Sequence, residues 1–140
     1  MSDALKLENQ LCFPLYVCAK EVVRRYTPLL EPLGLTYTQY IAMMVIWERK
    51  SVTVKELGEL LHLDSGTLTP MLKKMENAAW IRRERSKSDE RKVIVSITES
   101  GEALKNQAET IPQKMAECIK LQSDDAILLY DLLNKMIKTL

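Results

Sequence analysis

Three cysteines are the residues of this chain whose side chains could do redox chemistry: Cys12, Cys18 and Cys118. A thiolate can attack a peroxide, bind a metal or form a disulfide. An odd number of cysteines argues against a framework of structural disulfides. With one histidine, His62, and no clustered Cys/His spacing, no metal site is expected. Cys12 lies in the apolar helical stretch LENQLCFPLYVCAK, where it is either a packing residue or a reactive thiol.

The composition limits the classes of protein to which the chain can belong. At 140 residues it has the length of one domain, and its 46% hydrophobic and 28% charged residues are ordinary for a folded globular protein. No apolar run approaches the length of a membrane span, and the N-terminus lacks the pattern of a signal peptide. We therefore predict one cytoplasmic domain, with no membrane partner and no cofactor.

Basic residues are concentrated in one segment of an otherwise nearly neutral chain. Residues 73–92 contain eight Lys or Arg and four Asp or Glu, a net charge of +4. Because the whole chain carries +1, the other 120 residues carry −3. Such a segment is typical of a surface that binds a polyanion, although a solvated charged hairpin would have the same composition.

Hydrophobic periodicity and capping residues predict a mainly helical first half. Apolar residues at helical spacing predict a helix over residues 4–30. Pro14 would kink this helix unless it begins near residue 12. Capping boxes that begin at Thr36 and Thr53 predict a buried helix over residues 36–50 and a short helix after it.

The second half places a hairpin between helices. Asp64 or Ser65 is a candidate N-cap for the next helix. The segments WIRRERS and KVIVSIT then alternate with a period of two, and the polar SKSDE between them predicts a hairpin tip. Helical spacing returns over residues 98–120, interrupted by Pro112, and in a last helix from Ser123.

A short helix, a tight turn, a second helix and a basic hairpin form the plan of a winged helix-turn-helix. On the second helix, the apolar residues share one face, which must be buried: Leu68, Met71, Leu72 and Met75. The opposite face offers small hydroxyls and a lysine that can approach base edges and phosphates: Ser65, Thr67, Thr69 and Lys73. Alone, this helix would be read as an N-capped surface helix, but together with the hairpin it favours DNA binding.

Basic side chains crowd the tip of the predicted hairpin. Asp89 lies two residues before Arg91, close enough to hold its guanidinium in a fixed orientation. An oriented arginine at the end of a narrow hairpin can enter a minor groove of DNA. The hairpin residues expected to take part in DNA binding are Arg83, Arg85, Lys87, Asp89 and Arg91.

The segments DSGTLTPMLKKME and RSKSDERKV, the second with its Asp-x-Arg, resemble the recognition helix and wing of the MarR-type winged-helix regulators. The resemblance covers nearly the whole chain. It implies a mainly α fold with a small β-hairpin wing, and a homodimer that represses transcription from a pseudo-palindromic operator in double-stranded DNA. The DNA-binding lobe of this single domain would comprise residues 35–98, and residues 4–34 and 99–140 would supply the dimerisation helices.

The segment LENQLCFPLY is similar to one branch of that family, the organic-hydroperoxide-sensing repressors. The similarity implies that Cys12 reacts with the peroxide and that Tyr26 and Tyr37 hydrogen-bond to it. Fourteen residues of helix span roughly 21 Å, so Tyr26 cannot touch the Cys12 of its own helix. Such a site would straddle the dimer interface. Cys118 resembles the second cysteine of sensors that form an intersubunit disulfide, and a packing role for it stays open.

Three alternatives stay open beside a repressor that organic hydroperoxides release by oxidising Cys12. A MarR-type regulator could respond to a small aromatic ligand, with Cys12 incidental. A cysteine peroxidase would need a threonine beside the cysteine and an arginine for the leaving oxygen, whereas the polar neighbours of Cys12 are Asn9 and Gln10. An architectural protein would bind specific and random DNA alike. We predict a regulator and not an enzyme.

Overall fold

A computed structural model describes residues 2–140 of the chain. Its helices are α1 (Cys12–Leu30), α2 (Tyr37–Arg49), α3 (Val54–Leu61), α4 (Ser65–Asn77), α5 (Glu99–Ala108), α6 (Ile111–Cys118) and α7 (Ser123–Ile137). Strands β1 (Ser51–Thr53), β2 (Ile81–Arg85) and β3 (Val93–Ile97) form an antiparallel sheet in the order β1-β3-β2. The chain divides into two compact units between Thr110 and Ile111. The predicted fold class, mainly α with a small β-hairpin, is confirmed.

The first α-helix begins later than its periodicity predicts. Helix α1 starts at Cys12, after two short 3₁₀ turns, Asp3–Leu5 and Leu7–Asn9. The side chains of Asn9 and Gln10 donate hydrogen bonds to backbone carbonyls in this segment, and these bonds hold it in turns. The helix predicted over residues 4–30 is therefore wrong at its start. The alternative start near residue 12 is confirmed, and Pro14 lies in the first turn, where a missing amide is tolerated.

Helix α2 lies at the centre of the core, as its nearly uniform apolar sequence predicts. The Thr36 side chain accepts a hydrogen bond from the Gln39 amide at 3.2 Å, and the Gln39 side chain accepts one from the Thr36 amide at 3.0 Å. Trp47 Nε1 donates to the Gly101 carbonyl at 2.8 Å, which joins α2 to α5. The buried apolar residues of α2 are Tyr40, Ala42, Met43, Ile46 and Trp47.

The short helix, turn and helix predicted from capping signals are confirmed. The Thr53 side chain accepts from the Glu56 amide at 3.1 Å and begins α3. The Asp64 side chain accepts from the Thr67 amide at 2.8 Å and begins α4. Helix α4 buries the face that its periodicity predicts: Leu68, Met71, Leu72 and Met75.

Strand β1 is the element that the sequence patterns did not indicate. It has three residues and pairs with β3, with Val52 opposite Val95. Three residues are too few to display a period of two, and Thr53 was predicted only as a helix cap. The chain turns into this strand at Lys50, whose φ of 66° is unusual for a residue other than glycine.

The long helix predicted over residues 98–120 is interrupted, as Pro112 indicates, and forms α5 and α6. Thr98 begins α5 and accepts a hydrogen bond from the Gly101 amide at 3.0 Å. Helix α7 begins at Ser123, as predicted. Every residue of α7, all of which the structure describes, is exposed or half-buried, including its apolar stripe: Ile127, Leu128, Leu132, Leu133 and Met136.

Neither a membrane-spanning helix nor a cluster of metal ligands is found in the described part of the chain. Across residues 2–140, no helix is both long enough and apolar enough to span a membrane. The same residues contain no group of three or more His, Cys, Asp or Glu side chains that could hold a metal ion.

Candidate nucleic-acid interface and thiol site

The exposed face of α4 carries the short polar side chains predicted to approach DNA. Leu68 and Leu72 fix the opposite face in the core, so the exposed face is presented by an anchored helix. Short hydroxyls on such a helix allow close approach to base edges and phosphates, and a lysine adds attraction to the phosphates. All four predicted residues are exposed: Ser65, Thr67, Thr69 and Lys73.

Asp89 orders the tip of the hairpin between β2 and β3. Its Oδ1 accepts a hydrogen bond from the Arg91 amide at 3.0 Å and lies 3.4 Å from Arg91 Nε. The Lys92 amide donates to the Asp89 carbonyl at 3.0 Å, which closes the turn. The Arg91 side chain is 93% exposed. The turn therefore fixes the backbone of Arg91, and the exposed side chain extends into solvent.

The other basic residues predicted on the hairpin have different surroundings. Arg85 is exposed and donates to the Glu90 carbonyl at 2.8 Å, and Lys87 is exposed beside it. The side chain of Arg83 is only 24% exposed and pairs with Glu76 of α4 at 3.2 Å. The structure thus brings Arg85, Lys87 and Arg91 to the tip, and Arg83 to the junction between the hairpin and α4.

A groove of about 1190 Å³ lies between α3, α4 and the hairpin. Its walls carry both signs of charge, with Arg83 and Arg91 on the hairpin side and Glu56 and Glu59 on α3. Because α4 and the hairpin border the same groove, they can contact one ligand together. A DNA duplex is such a ligand, because it has a major groove that can receive the helix and a neighbouring minor groove that can receive the hairpin.

Cys12 is the first residue of α1 and is exposed, as are Cys18 and Cys118. The thiol of Cys12 therefore lies at the exposed N-terminal end of α1, where a reagent in solution can reach it. Asn9 and Gln10, the polar residues before it, direct their side chains to backbone carbonyls.

Tyr26 of α1 and Tyr37 of α2 pack together, with ring centroids 4.8 Å apart. Tyr40 completes the cluster, with its ring centroid 5.7 Å from that of Tyr26. Burial raises the pKa of Tyr26 and of Tyr40, and neighbouring tyrosines add to it, so both phenols stay protonated in the neutral range. Sequence reasoning missed Tyr40, whose only signal is its position one helical turn after Tyr37.

The tyrosine cluster does not meet Cys12 within one chain. Helix α1 is continuous from Cys12 to Leu30, so Cys12 and Tyr26 lie on one helix with roughly 21 Å of rise between them. A contact between the thiol and these phenols therefore needs a second copy of the chain.

Comparisons with known proteins assign this arrangement to a family. Residues 24–108 match the family model of the transcriptional regulators SarA/Rot. The chain is 48% identical over 138 residues to the organic hydroperoxide resistance transcriptional regulator of Bacillus subtilis (strain 168), across 99% of this chain and 94% of that protein. The chain belongs to the SarA/Rot family of transcriptional regulators. This membership confirms the prediction of a regulator rather than an enzyme.

Solved structures of the proteins AbfR and MarR align with nearly all of the chain. AbfR of Staphylococcus epidermidis, overoxidized and bound to DNA, is 33% identical with a TM-score of 0.78, over 97% of this chain and 96% of AbfR. Reduced AbfR bound to DNA and disulfide-formed AbfR align with TM-scores of 0.78 and 0.66. A MarR mutant from E. coli with operator DNA is 26% identical with a TM-score of 0.86, over 96% of this chain and 99% of that chain. The predicted MarR-type resemblance is confirmed.

Proposed function

We propose that the protein is a cytoplasmic, DNA-binding repressor that leaves its operator when an organic hydroperoxide oxidises Cys12. The likeness to an organic hydroperoxide resistance regulator over nearly the full length of both chains carries this proposal. The exposed thiol at the start of α1 and the phenols of the tyrosine cluster supply groups for the chemistry. DNA would be bound by residues of α4 and of the hairpin between β2 and β3, which we call the wing. All of them are exposed except the half-buried Asp89: Ser65, Thr67, Thr69, Lys73, Arg85, Lys87, Asp89 and Arg91.

We propose that the protein is a homodimer. Large apolar side chains are exposed at the start of α1 and along α7: Leu11, Phe13, Tyr16, Ile127, Leu128 and Leu132. Removal of apolar surface from water favours association, so these two apolar faces favour a partner chain. A two-fold dimer would place its two α4 helices in successive major grooves of a pseudo-palindromic operator. It would also bring Cys12 of one subunit to Tyr26 and Tyr37 of the other.

The proposed reaction consumes one hydroperoxide per thiol. The Cys12 thiolate attacks the terminal peroxide oxygen, and an S–O bond forms as the O–O bond breaks. The departing alkoxide takes up the proton that the thiol lost and leaves as an alcohol. The thiol is oxidised to a sulfenic acid and the hydroperoxide is reduced. Phenol hydrogen bonds favour the thiolate over the thiol. Apolar neighbours of the thiol, Leu11 and Phe13, favour lipophilic organic peroxides over hydrogen peroxide.

A DNA-mobility assay tests the proposal, with an operator selected from random sequence by the protein itself. We expect a complex that survives excess random DNA, disappears after cumene hydroperoxide and returns after thiol reduction. Release by an aromatic acid under reducing conditions, with no response to hydroperoxide, would instead identify a ligand-responsive regulator. Repeated turnover of hydroperoxide with a reductant would identify a peroxidase, and equal binding to random DNA an architectural protein.

Replacement of Arg91 by alanine is expected to weaken operator binding by about 1–3 kcal/mol, the size of a good groove contact. Asp89→Ala should weaken binding less, because the guanidinium remains and loses only its orientation. Fluorescence anisotropy at physiological salt measures both. Arg24→Ala, which removes an exposed arginine from α1, is the matched control and should bind as wild type does. If the Arg91→Ala protein bound with wild-type affinity, the wing would not contribute to operator binding.

We propose that Cys118 of one subunit resolves the sulfenic acid of Cys12 in the other, with a disulfide formed and water released. Disulfide-formed AbfR supports this proposal, as does the exposure of Cys118 at the last residue of α6. After one equivalent of hydroperoxide, non-reducing electrophoresis should show a covalent dimer in wild type and in Cys18→Ser. The dimer should be absent in Cys12→Ser and in Cys118→Ser. A monomer that gains the mass of a small thiol on Cys12 would refute the role of Cys118.

A further inference from the structure

One carboxylate joins α4 to the wing. Glu76, in the last turn of α4, accepts the backbone amide of Arg83 on Oε2 at 3.0 Å. Its other oxygen, Oε1, accepts a hydrogen bond from the Arg83 guanidinium at 3.2 Å. Both contacts are part-buried. Glu76 therefore holds both the main chain and the side chain of a single residue in β2.

The backbone contact occurs at the edge of the sheet. The strand order β1-β3-β2 leaves β2 with a neighbouring strand on one side only. An amide on the outer edge of such a strand has no partner in the ladder. Glu76 accepts the Arg83 amide there, so the recognition helix, α4, supplies the missing acceptor. A change in the position of β2 relative to α4 would break this bond.

The charged pair is maintained at physiological pH. The hydrogen bond from the Arg83 side chain, and then that from its amide, hold the pKa of the Glu76 carboxyl below its usual value. The carboxylate is therefore ionised throughout the neutral range. The Arg83 Nε is buried and has no hydrogen-bond partner within residues 2–140. The guanidinium of Arg83 is thus held against Glu76 with little exposure, whereas the Arg91 side chain is almost fully exposed.

We infer that Glu76 and Arg83 are positioning residues that lock the wing to the recognition helix, and that Arg83 does not itself contact DNA. The inference rests on the proposed DNA-binding function. Because Glu76 and Arg83 link them, α4 and the wing contact the duplex as one rigid element. The Arg91 contact then depends on Glu76, although Glu76 lies in a different element from the wing tip.

A double-mutant cycle tests this assignment. Glu76→Gln and Arg83→Met should each weaken operator binding about tenfold, and the double variant should bind no more weakly than Glu76→Gln alone, because both substitutions remove the ion pair between the two side chains. Neither should change the slope of log affinity against log salt, because no phosphate contact is lost. Arg82→Met, which removes an exposed neighbouring charge and leaves the pair intact, is the matched control.

A second readout does not involve DNA. Hydrogen exchange at the Arg83 amide and through β2 should be faster in Glu76→Gln than in wild type, while the buried residues of α2 keep their protection.

Contrary results separate the inference from the proposed function. Additive losses, with a salt slope reduced by about 0.9 in Arg83→Met, would show that Arg83 contacts a phosphate and would overturn the inference alone. Unchanged exchange in β2 of Glu76→Gln would also overturn it. Failure of the wild-type protein to discriminate operator from random DNA would overturn the proposed function itself.

Discussion

The Cys12→Ser protein is expected to bind operator DNA as tightly as reduced wild type and to remain bound after organic hydroperoxide is added. Serine has nearly the size of cysteine and its hydroxyl does not attack a peroxide at neutral pH. Cys12 lies at the exposed start of α1, away from the buried faces of α2 and α4, so DNA binding should be retained. The measurement is anisotropy of a labelled operator during a hydroperoxide titration.

Tyrosine variants should give graded effects in the same titration. Tyr26→Phe and Tyr37→Phe each lose a phenol that would hydrogen-bond to the thiolate, so release should occur but more slowly than in wild type. Tyr16→Phe is the matched control, because Tyr16 is exposed, lies one turn from Cys12 and is outside the cluster. Cys18→Ser should respond as wild type does. If Cys12→Ser leaves the operator as readily as wild type under hydroperoxide, the sensing role of Cys12 is wrong.

Replacement of Gly101 by alanine should destabilise the fold by about 1–3 kcal/mol, the usual range for overpacking. A Cβ at this position would overlap the backbone carbonyl of Trp80 and press on Ile97. The Trp80 carbonyl also accepts the Thr98 amide at 3.2 Å, so it cannot turn away without loss of that bond. The Gly101 carbonyl accepts from Trp47, and a shift of α5 would strain this bond as well.

Urea unfolding of the reduced protein measures this change, with all variants at one concentration because a dimer's stability depends on it. Gly66→Ala is the matched control. A Cβ at Gly66 would meet only the Asp64 side chain at 3.3 Å, and alanine favours a helix by up to about 1 kcal/mol relative to glycine. The control should therefore be neutral or stabilised. Equal stability of Gly101→Ala and Gly66→Ala would contradict the packing described for α5.

Local rules account for the parts of the fold that could be predicted. Thr36 and Asp64 cap their helices through bonds to residues three positions on, and such bonds depend on short-range sequence. The buried face of α4 follows from the helical period alone. The order of these elements with a basic hairpin then indicates the winged helix without any knowledge of tertiary contacts.

Other features depend on contacts that periodicity does not encode. The start of α1 was predicted too early, because the bonds of Asn9 and Gln10 to backbone carbonyls compete with helix. Strand β1 exists because β3 has a free edge to pair with, and three residues carry no pattern of their own.

At the candidate sites, the sequence indicated the residues of the wing tip but not the environment of Arg83. Its charge suggested a DNA contact, and only the fold shows that Glu76 lies beside it. Asp89 and Arg91 are two residues apart, so the turn itself brings them together. The position of Tyr40 in the tyrosine cluster likewise depends on the packing of α1 against α2.

The central claim is that oxidation of Cys12 releases the operator, and parallel measurement of the two events tests it most directly. Cumene hydroperoxide would be added to the protein–operator complex in steps up to one equivalent per subunit. At each step the oxidised fraction of Cys12 would be measured by mass spectrometry and the free operator by anisotropy. We predict that release follows the oxidised fraction and is complete at one equivalent per subunit. Operator that stays bound when Cys12 is fully oxidised, or that is released while Cys12 remains reduced, would contradict the claim.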